Sequence, residues 1–199
     1  MKIQNKFLVY IFIIFIVPAL TQAHIIGGTG FGDGIFHPIS GFDHLLAMVA
    51  VGIISTLLGK KATWMMPLTF VAMMILGGIA SILGLHLAGV EIIIALSLVL
   101  LGIGIAFVRS FNRKFSLPIS LICVSLAAFF HGHAHGAEMQ VVASPIDYFF
   151  GFVLSTSALH VGGVSIGHYG TKTWFRVKLL RLAGIAVSLA GFYLLLVSM

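Results

Sequence analysis

Two short segments of this apolar chain combine histidines with carboxylates. The first, residues 37–44, has the sequence HPISGFDH, and the second, residues 130–138, has the sequence FHGHAHGAE. Imidazole nitrogen and carboxylate oxygen together are ligands that borderline divalent metals such as nickel, cobalt and zinc accept in proteins. Ionisable groups are costly at membrane depth, and where they occur there they are functional candidates by default. The residue types therefore predict a metal site.

The composition places the chain in a membrane. Of its 199 residues, 60% are hydrophobic and only 8% are charged, and the mean hydropathy is +1.16. A soluble domain carries about 25% charged residues, so this surface must be solvated by lipid. The net charge of +6 comes from a shortage of acids, 5 against 11 basic residues, and not from a basic stripe. Nucleic acid is therefore not an expected partner.

The N-terminal segment has the layout of a secretory signal peptide. Two lysines precede an apolar run at residues 7–17, and residues 21–23 (TQA) offer small side chains at the two positions that a signal peptidase recognises. This layout predicts a cleaved signal peptide over residues 1–23 and a mature chain that begins at His24. The alternative is an uncleaved signal anchor, although the apolar run is short for a membrane span.

Six apolar stretches follow, each about 20 residues long and therefore able to cross a bilayer as a helix. The connections between them are short, so residues 24–199 are expected to form one six-helix transmembrane domain. The predicted fold class is an all-α membrane protein, a six-transmembrane-helix bundle after a cleaved N-terminal signal peptide. Small residues recur at helical spacing, which favours close helix packing in membranes. The predicted spans are residues 38–59, 64–83, 90–108, 116–136, 146–167 and 177–197.

Basic residues indicate the orientation of this bundle. They cluster in three connections that all lie on one side of a six-span protein, and the positive-inside rule makes that side cytoplasmic. The mature N- and C-termini are then outside, and an export signal independently requires the same position for the N-terminus. We therefore expect a multi-pass protein of a bacterial inner membrane. The basic residues are Lys60, Lys61, Arg109, Arg113, Lys114, Lys172, Arg176, Lys178 and Arg181.

Helical geometry predicts that the two histidine segments meet. If the first span begins at Pro38, His44 lies about 9 Å below the outer edge of the membrane, at 1.5 Å per residue. The fourth span runs in the opposite direction, and an end near Gly136 places His131 at about the same depth.

The spacing of the histidines also predicts which side chains share a helix face. His37 and His44 are seven residues apart, and the second segment has ligands at i, i+4 and i+7. The two faces together predict a mixed nitrogen and oxygen site around one metal ion. Asp43, His44, His131 and His135 would form this site, with Glu138 and His37 at its rim.

Two further histidines are secondary candidates for metal ligands. His24 would offer an amine and an imidazole if the signal peptide is cleaved. His160 lies in the fifth predicted span, about 20 Å below the outer edge. There it is either a hydrogen-bonding partner of a neighbouring helix or an inner position on a metal pathway, and the sequence does not decide between the two.

Four other ionisable residues have ordinary structural interpretations. His86 is expected to be a hydrogen-bonding partner of a neighbouring helix, and His168 to lie at the cytoplasmic interface. His133 points away from its neighbouring histidines by helical geometry. Glu91 is an acid in a first helical turn, where the helix dipole favours a negative charge.

The two histidine segments resemble the signatures of the HupE/UreJ family of hydrogenase and urease accessory proteins. His37-Pro38, Gly41 and Asp43-His44 match the pattern H-P-x-x-G-x-D-H. The segment that contains His131, His135 and Glu138 is similar to the family's second signature, on its fourth helix. Both motifs occur in order, and with the six-helix layout the resemblance covers essentially the whole mature chain.

This resemblance implies a permease that takes up nickel, or nickel and cobalt, for nickel enzymes. Ni²⁺ or Co²⁺ is then the transported substrate, no organic cofactor is expected, and nickel-enzyme maturation proteins are possible partners beside the lipid bilayer. The resemblance does not specify nickel against cobalt or zinc, or the oligomeric state. By the same resemblance, the metal-handling residues are His37, Asp43, His44, His131, His135 and Glu138.

Two other classes of function remain as alternatives. One is a membrane protein that binds or senses metal without transporting it, and sequence alone does not exclude that class. The other is an intramembrane metalloenzyme, which is less well supported because the chain has no H-E-x-x-H helix, no G-x-S-x-G elbow and too few carboxylates for a paired-iron site. We therefore predict that the protein is not an enzyme. The chain also lacks a G-x-x-x-x-G-K-[ST] loop, so no nucleotide hydrolysis of the P-loop kind is expected.

Overall fold

The computed structural model describes residues 30–107, 113–139 and 144–199, and these ranges are helical without any strand. In chain order the helices are α1 (Phe31–Ser40), α2 (Phe42–Leu58), α3 (Lys60–Ile82), α4 (Val90–Phe107), α5 (Arg113–Met139), α6 (Pro145–Gly170) and α7 (Trp174–Val197). The predicted signal peptide over residues 1–23 and the candidate ligand His24 lie outside the described residues.

Helices α3 to α7 are each long and apolar enough to cross a bilayer. Helices α1 and α2 together make a further span that is broken, with a bend of 80° between its two parts. The prediction of an all-helical membrane bundle is therefore confirmed, and the count of six spans holds when the bent pair is taken as one. Large apolar side chains such as Leu68, Ile122 and Leu189 are more than half exposed on the outside of the bundle, as a lipid-facing surface requires.

The first span differs from the single helix predicted over residues 38–59, and that prediction was wrong. Pro38 does not open the span but lies inside α1, near its C-terminal end, and a second helix begins at Phe42. His37 and His44 consequently belong to different helices and do not share one helix face.

The break occurs at Gly41, for local reasons. Gly41 is extended, with φ −75° and ψ 111°, and glycine is a poor residue for a helix interior because its backbone loses the most freedom there. The preceding Ser40 hydroxyl donates to the carbonyl of Phe36 at 2.9 Å, and this kind of local hydrogen bond accompanies helix ends and bends. Sequence periodicity did not reveal the break because both halves are apolar.

Glycines let the helices pack in close pairs: α2 on α6, α3 on α5, and α4 on α7. A Cβ atom on Gly163 of α6 would meet the Gly52 Cα of α2 at 3.0 Å. A Cβ atom on Gly132 of α5 would overlap the carbonyl of Met74 on α3. The close packing predicted from the spacing of small residues is confirmed, and it is the packing expected where apolar lipid provides no hydrophobic drive between helices.

Two glycine substitutions test this packing. Gly102 of α4 faces the backbone of α7, where a Cβ atom would lie 2.8 Å from Ser188 Cα, whereas Gly162 of α6 has open space around it. Gly102→Ala should destabilise the bundle by about 1–3 kcal/mol through overpacking. Gly162→Ala should leave it unchanged or stabilise it by about 0.5–1 kcal/mol. Thermal unfolding of both variants in detergent measures the difference, and equal melting temperatures would argue against backbone contact at Gly102.

Candidate metal site

Three imidazoles from three helices converge at one end of the bundle. His37 of α1, His44 of α2 and His135 of α5 place one possible ligand atom each within 4.8 Å of one another. The ring centroids of His44 and His135 are 4.5 Å apart, and those of His37 and His135 are 4.7 Å apart. A metal bound at about 2.1 Å from each ligand separates its ligand atoms by about 3–4 Å, so small side-chain movements would close this cluster around an ion. We call these residues the three-histidine cluster.

Packing of α1 on α6 positions His37. Gly34 of α1 lies against the backbone of Tyr148, and Gly151 of α6 lies against the carbonyl of Phe31. This contact brings the His37 ring to 6.0 Å from the ring of Tyr148. The break at Gly41 then allows the next helix to begin beside it, so that both histidines of the first motif reach α5.

Two carboxylates hold the histidines of this cluster. Glu138 Oε2 lies 2.9 Å from His135 Nδ1 and 3.4 Å from His37 Nε2. The hydroxyl of Tyr148 donates to the same oxygen at 3.4 Å. Asp43 Oδ1 lies 2.7 Å from His44 Nδ1. In metalloproteins, carboxylates in this position orient the ligating imidazole and fix its tautomer.

A fourth histidine, His131, lies next to the cluster. Its ring centroid is 5.1 Å from that of His44, and its side chain is fully buried. His131 Nδ1 donates to the carbonyl of Ala127 at 2.8 Å. Because a carbonyl oxygen can only accept, this bond requires the proton on Nδ1 and leaves Nε2 with a free lone pair.

Three buried rings carry nitrogen atoms without partners. His131 and His135 each hydrogen-bond an acceptor through Nδ1, and their Nε2 atoms are buried with no hydrogen-bond partner among the described residues. His44 Nδ1 lies 2.7 Å from Asp43 Oδ1, but neither nitrogen of this ring has a hydrogen-bond partner in the described ranges. A buried polar atom without a partner costs about 1–3 kcal/mol. A cation that accepts their lone pairs would satisfy these nitrogens. Neutral imidazole nitrogens and nearby carboxylates are a donor set for nickel, cobalt or zinc.

The structure brings together all six residues that the sequence nominated, and the predicted meeting of the two segments is confirmed. The arrangement differs from the prediction in two respects. His37 packs against both other members of the three-histidine cluster rather than at its rim. His131, predicted as a central ligand, lies next to the cluster rather than in it. His44 lies in the first turn of α2, and His131 lies about 12 Å from the end of α5.

Sequence reasoning missed three residues around the site. Tyr148 and Phe152, one turn apart on α6, are both buried, and the Phe152 ring centroid is 4.1 Å from that of His135. Glu91 lies in the first turn of α4 as expected, but it also interacts electrostatically with His44 and Glu138. The i, i+4 spacing of the two aromatic residues was a possible signal. Nothing in the sequence linked Glu91 to the site, because α4 approaches it only in the folded bundle.

The remaining histidines lie outside the cluster. His133 Nε2 donates to the carbonyl of Leu85 at 2.7 Å, which ties α5 to the connection between α3 and α4. His86 is exposed in that connection, not inside a span, and His168 is exposed near the end of α6. His160 is buried in α6 and is not a member of the cluster.

Comparison with known proteins identifies the family of this chain. The family described as HupE / UreJ protein matches residues 12–194. The chain belongs to the HupE/UreJ family. It is 40% identical over 180 residues to Protein HupE of Rhizobium leguminosarum bv. viciae, an alignment that covers 90% of this chain and 92% of that protein. No solved structure matches the chain.

If the clustered imidazoles form one site, their substitutions will not be additive. His44→Ala and His135→Ala should each weaken Ni²⁺ or Co²⁺ binding by about 10-fold or more, and the double substitution should cost little more than either alone. Titration calorimetry in detergent makes the comparison, with exposed His86→Ala as the control that keeps normal affinity. Two independent sites, each losing only its own share of the binding, would contradict a shared site.

Proposed function

We propose that this HupE/UreJ protein is a membrane permease for the uptake of a divalent transition metal, nickel or else cobalt. The observation that carries the proposal is the three-histidine cluster, in which His37, His44 and His135 place possible ligand atoms within 4.8 Å of one another. The Nε2 atoms of His44, His135 and the neighbouring His131 are buried with no hydrogen-bond partner among the described residues. They lie inside a bundle of candidate membrane spans, beside two carboxylates. A site of this kind in a membrane has the chemistry of a cation-binding position on a transport path.

Family membership supports the choice of metal. The family implies an accessory, permease-like role in nickel or cobalt supply. The metal is substrate in this proposal, so the site has to release it as well as bind it. The six proposed metal-handling residues are those of the two motifs: His37, Asp43, His44, His131, His135 and Glu138.

The distribution of charge supports an orientation with the site on the outer side of the inner membrane. Glu138, Glu91 and Asp147 lie at the ends of helices on the site side. At the opposite end, Lys60 is exposed and the Arg176 guanidinium lies 3.8 Å from the centre of the Tyr169 ring. Basic side chains with aromatic neighbours are typical of the cytoplasmic interface. We therefore propose that both termini of the mature chain are periplasmic.

The membrane potential is a sufficient energy source for uptake. An inside-negative potential of about 100 mV contributes about 4.6 kcal/mol for a divalent cation, at about 2.3 kcal/mol per charge. This energy supports accumulation on the order of a thousandfold. A permease of this kind therefore requires neither a nucleotide-binding loop nor a coupled ion.

A protein that binds or senses metal without moving it would use the same outer site. An uptake assay in proteoliposomes that contain only this protein distinguishes transport from binding or sensing without transport. Uptake of radioactive nickel or cobalt, dependent on an inside-negative potential, is the expected result. Metal binding without any uptake into the vesicles would favour the binding or sensing role instead.

A substitution of Asp43 tests whether the negative charge of its carboxylate is needed for metal uptake. Asp43→Asn keeps the shape of the side chain but removes the negative charge 2.7 Å from His44 Nδ1. We expect this variant to fold normally and to lose about 10-fold or more of its nickel or cobalt uptake, since such supporting carboxylates typically matter by that factor. Asp147→Asn is the matched control, because Asp147 is an exposed carboxylate at the same end, hydrogen-bonded only to Ser144 in the described structure. Normal uptake by Asp43→Asn would show that this carboxylate is merely structural.

Processing and orientation are testable separately. N-terminal sequencing of the purified protein should begin at His24, because the layout of residues 1–23 predicts cleavage after Ala23. A cysteine placed at Lys60 should react with a membrane-impermeant thiol reagent only after the membrane is opened. Recovery of Met1, or labelling of position 60 in intact cells, would overturn the corresponding part of the proposal.

A further inference from the structure

His160 is a buried histidine that the outer site does not use. Its side chain in α6 is 1% exposed, and neither ring nitrogen has a hydrogen-bond partner among the described residues. Two serines of the same helix are satisfied locally, because the hydroxyls of Ser157 and Ser165 donate to carbonyls one turn earlier. An unpartnered buried polar group is expensive, and in a native protein it calls for an explanation such as an absent ion.

The position of His160 is deep in the bundle. It lies 15 residues after the start of α6 at Pro145, which is about 22 Å along the helix. Tyr148, which contacts the outer site through Glu138, is in the first turn of the same helix. His160 is therefore about 18 Å further along α6, near the middle of a membrane about 30 Å thick.

One aromatic ring connects the outer site to His160. The fully buried Phe70 of α3 has its ring centroid 5.8 Å from that of His131 and 5.0 Å from that of His160. Phe70 thus contacts the deepest histidine of the outer site on one side and His160 on the other. No other histidine in the described residues shares an aromatic neighbour with His131 in this way.

A thioether sulfur and two hydroxyl oxygens lie near the contact between Phe70 and His160. Met74 lies one turn from Phe70 on the side of the outer site, and its Sδ accepts from Thr156 Oγ1 at 4.0 Å. Thr156 lies one turn before His160, and the Ser155 hydroxyl beside it is buried without a hydrogen-bond partner in the described ranges. Thioether sulfur, hydroxyl oxygen and imidazole nitrogen can each contact a borderline divalent cation.

We propose that His160 is an inner, transient binding position for the divalent cation, separated from the outer site by the ring of Phe70. The inference rests on the proposed transport function. A position with one imidazole and a few weak donors binds less tightly than an outer site with several imidazoles and two carboxylates. Weaker binding at the inner position is what a transport path requires, because the cation must bind strongly enough to enter and weakly enough to be released.

Removal of the His160 imidazole distinguishes a role in transport from a role in metal binding at the outer site. His160→Phe keeps an aromatic ring of similar size beside Phe70 but removes both nitrogens. We expect Co²⁺ binding in detergent to stay normal while uptake into proteoliposomes falls about 10-fold or more. His168→Phe, an exposed position on the same helix, is the matched control and should keep normal uptake. Normal uptake by His160→Phe would overturn the proposal, as would a parallel loss of binding in a protein with an unchanged melting temperature.

A second variant gives a gain of function and does not depend on tolerance of phenylalanine. His160→Cys, made with Cys123→Ala so that it carries the only thiol in the chain, offers a soft ligand that holds Cd²⁺ tightly. Cobalt uptake by this protein should become sensitive to Cd²⁺ at concentrations about 10-fold or more below those that inhibit the Cys123→Ala parent. His168→Cys in the same background is the control and should match the parent.

The outcomes distinguish this inference from the proposed function. If the unmodified protein shows no uptake, the transport proposal fails, whatever the variants do. If it transports and the His160→Cys protein is no more sensitive to Cd²⁺ than its parent, the cation does not pass this residue and the inner position is wrong.

Discussion

Buried imidazoles in a lipid-embedded bundle need partners that lipid does not provide, and this constraint organises the molecule. Backbone groups are satisfied within the helices, so the histidine side chains must find carbonyls, carboxylates, one another or an ion. At the outer site, Nδ1 atoms face Ala127, Asp43 and Glu138, while the Nε2 atoms are left without partners in the described residues. The site is therefore assembled in a form that a cation would complete.

Two features of the bundle bring the histidine rings of the outer site together. Glycines allow α1 to approach α6, and α3 to approach α5, closely enough for side chains on different helices to meet. The break at Gly41 then lets one short motif contribute ligands from two helices with different directions. A straight helix through the same residues would present His37 and His44 two turns apart. The bend of 80° instead places His37 against both His44 and His135.

Much of this structure was predictable from the sequence, and the parts that were not share a physical cause. The apolar spans, the close packing of glycines and the meeting of the two motifs follow from length, composition and spacing, which are local properties. The break at Gly41 was not predictable from periodicity, since the hydrophobic pattern continues through it. Tyr148, Phe152 and Glu91 were missed because their relation to the site exists only between helices. His160 was left undecided by the sequence, and its lack of hydrogen-bond partners among the described residues is visible only once its neighbours are placed.

The central claim is that histidines of α1, α2 and α5 bind one metal ion together, and X-ray absorption at the metal edge tests it most directly. Purified protein loaded with one equivalent of Ni²⁺ or Co²⁺ should show a first shell of nitrogen and oxygen ligands with outer-shell scattering from about three imidazoles. His44→Ala should reduce the imidazole scattering. A spectrum without imidazole scattering, or one that is identical in the His44→Ala protein, would contradict a site built by these helices.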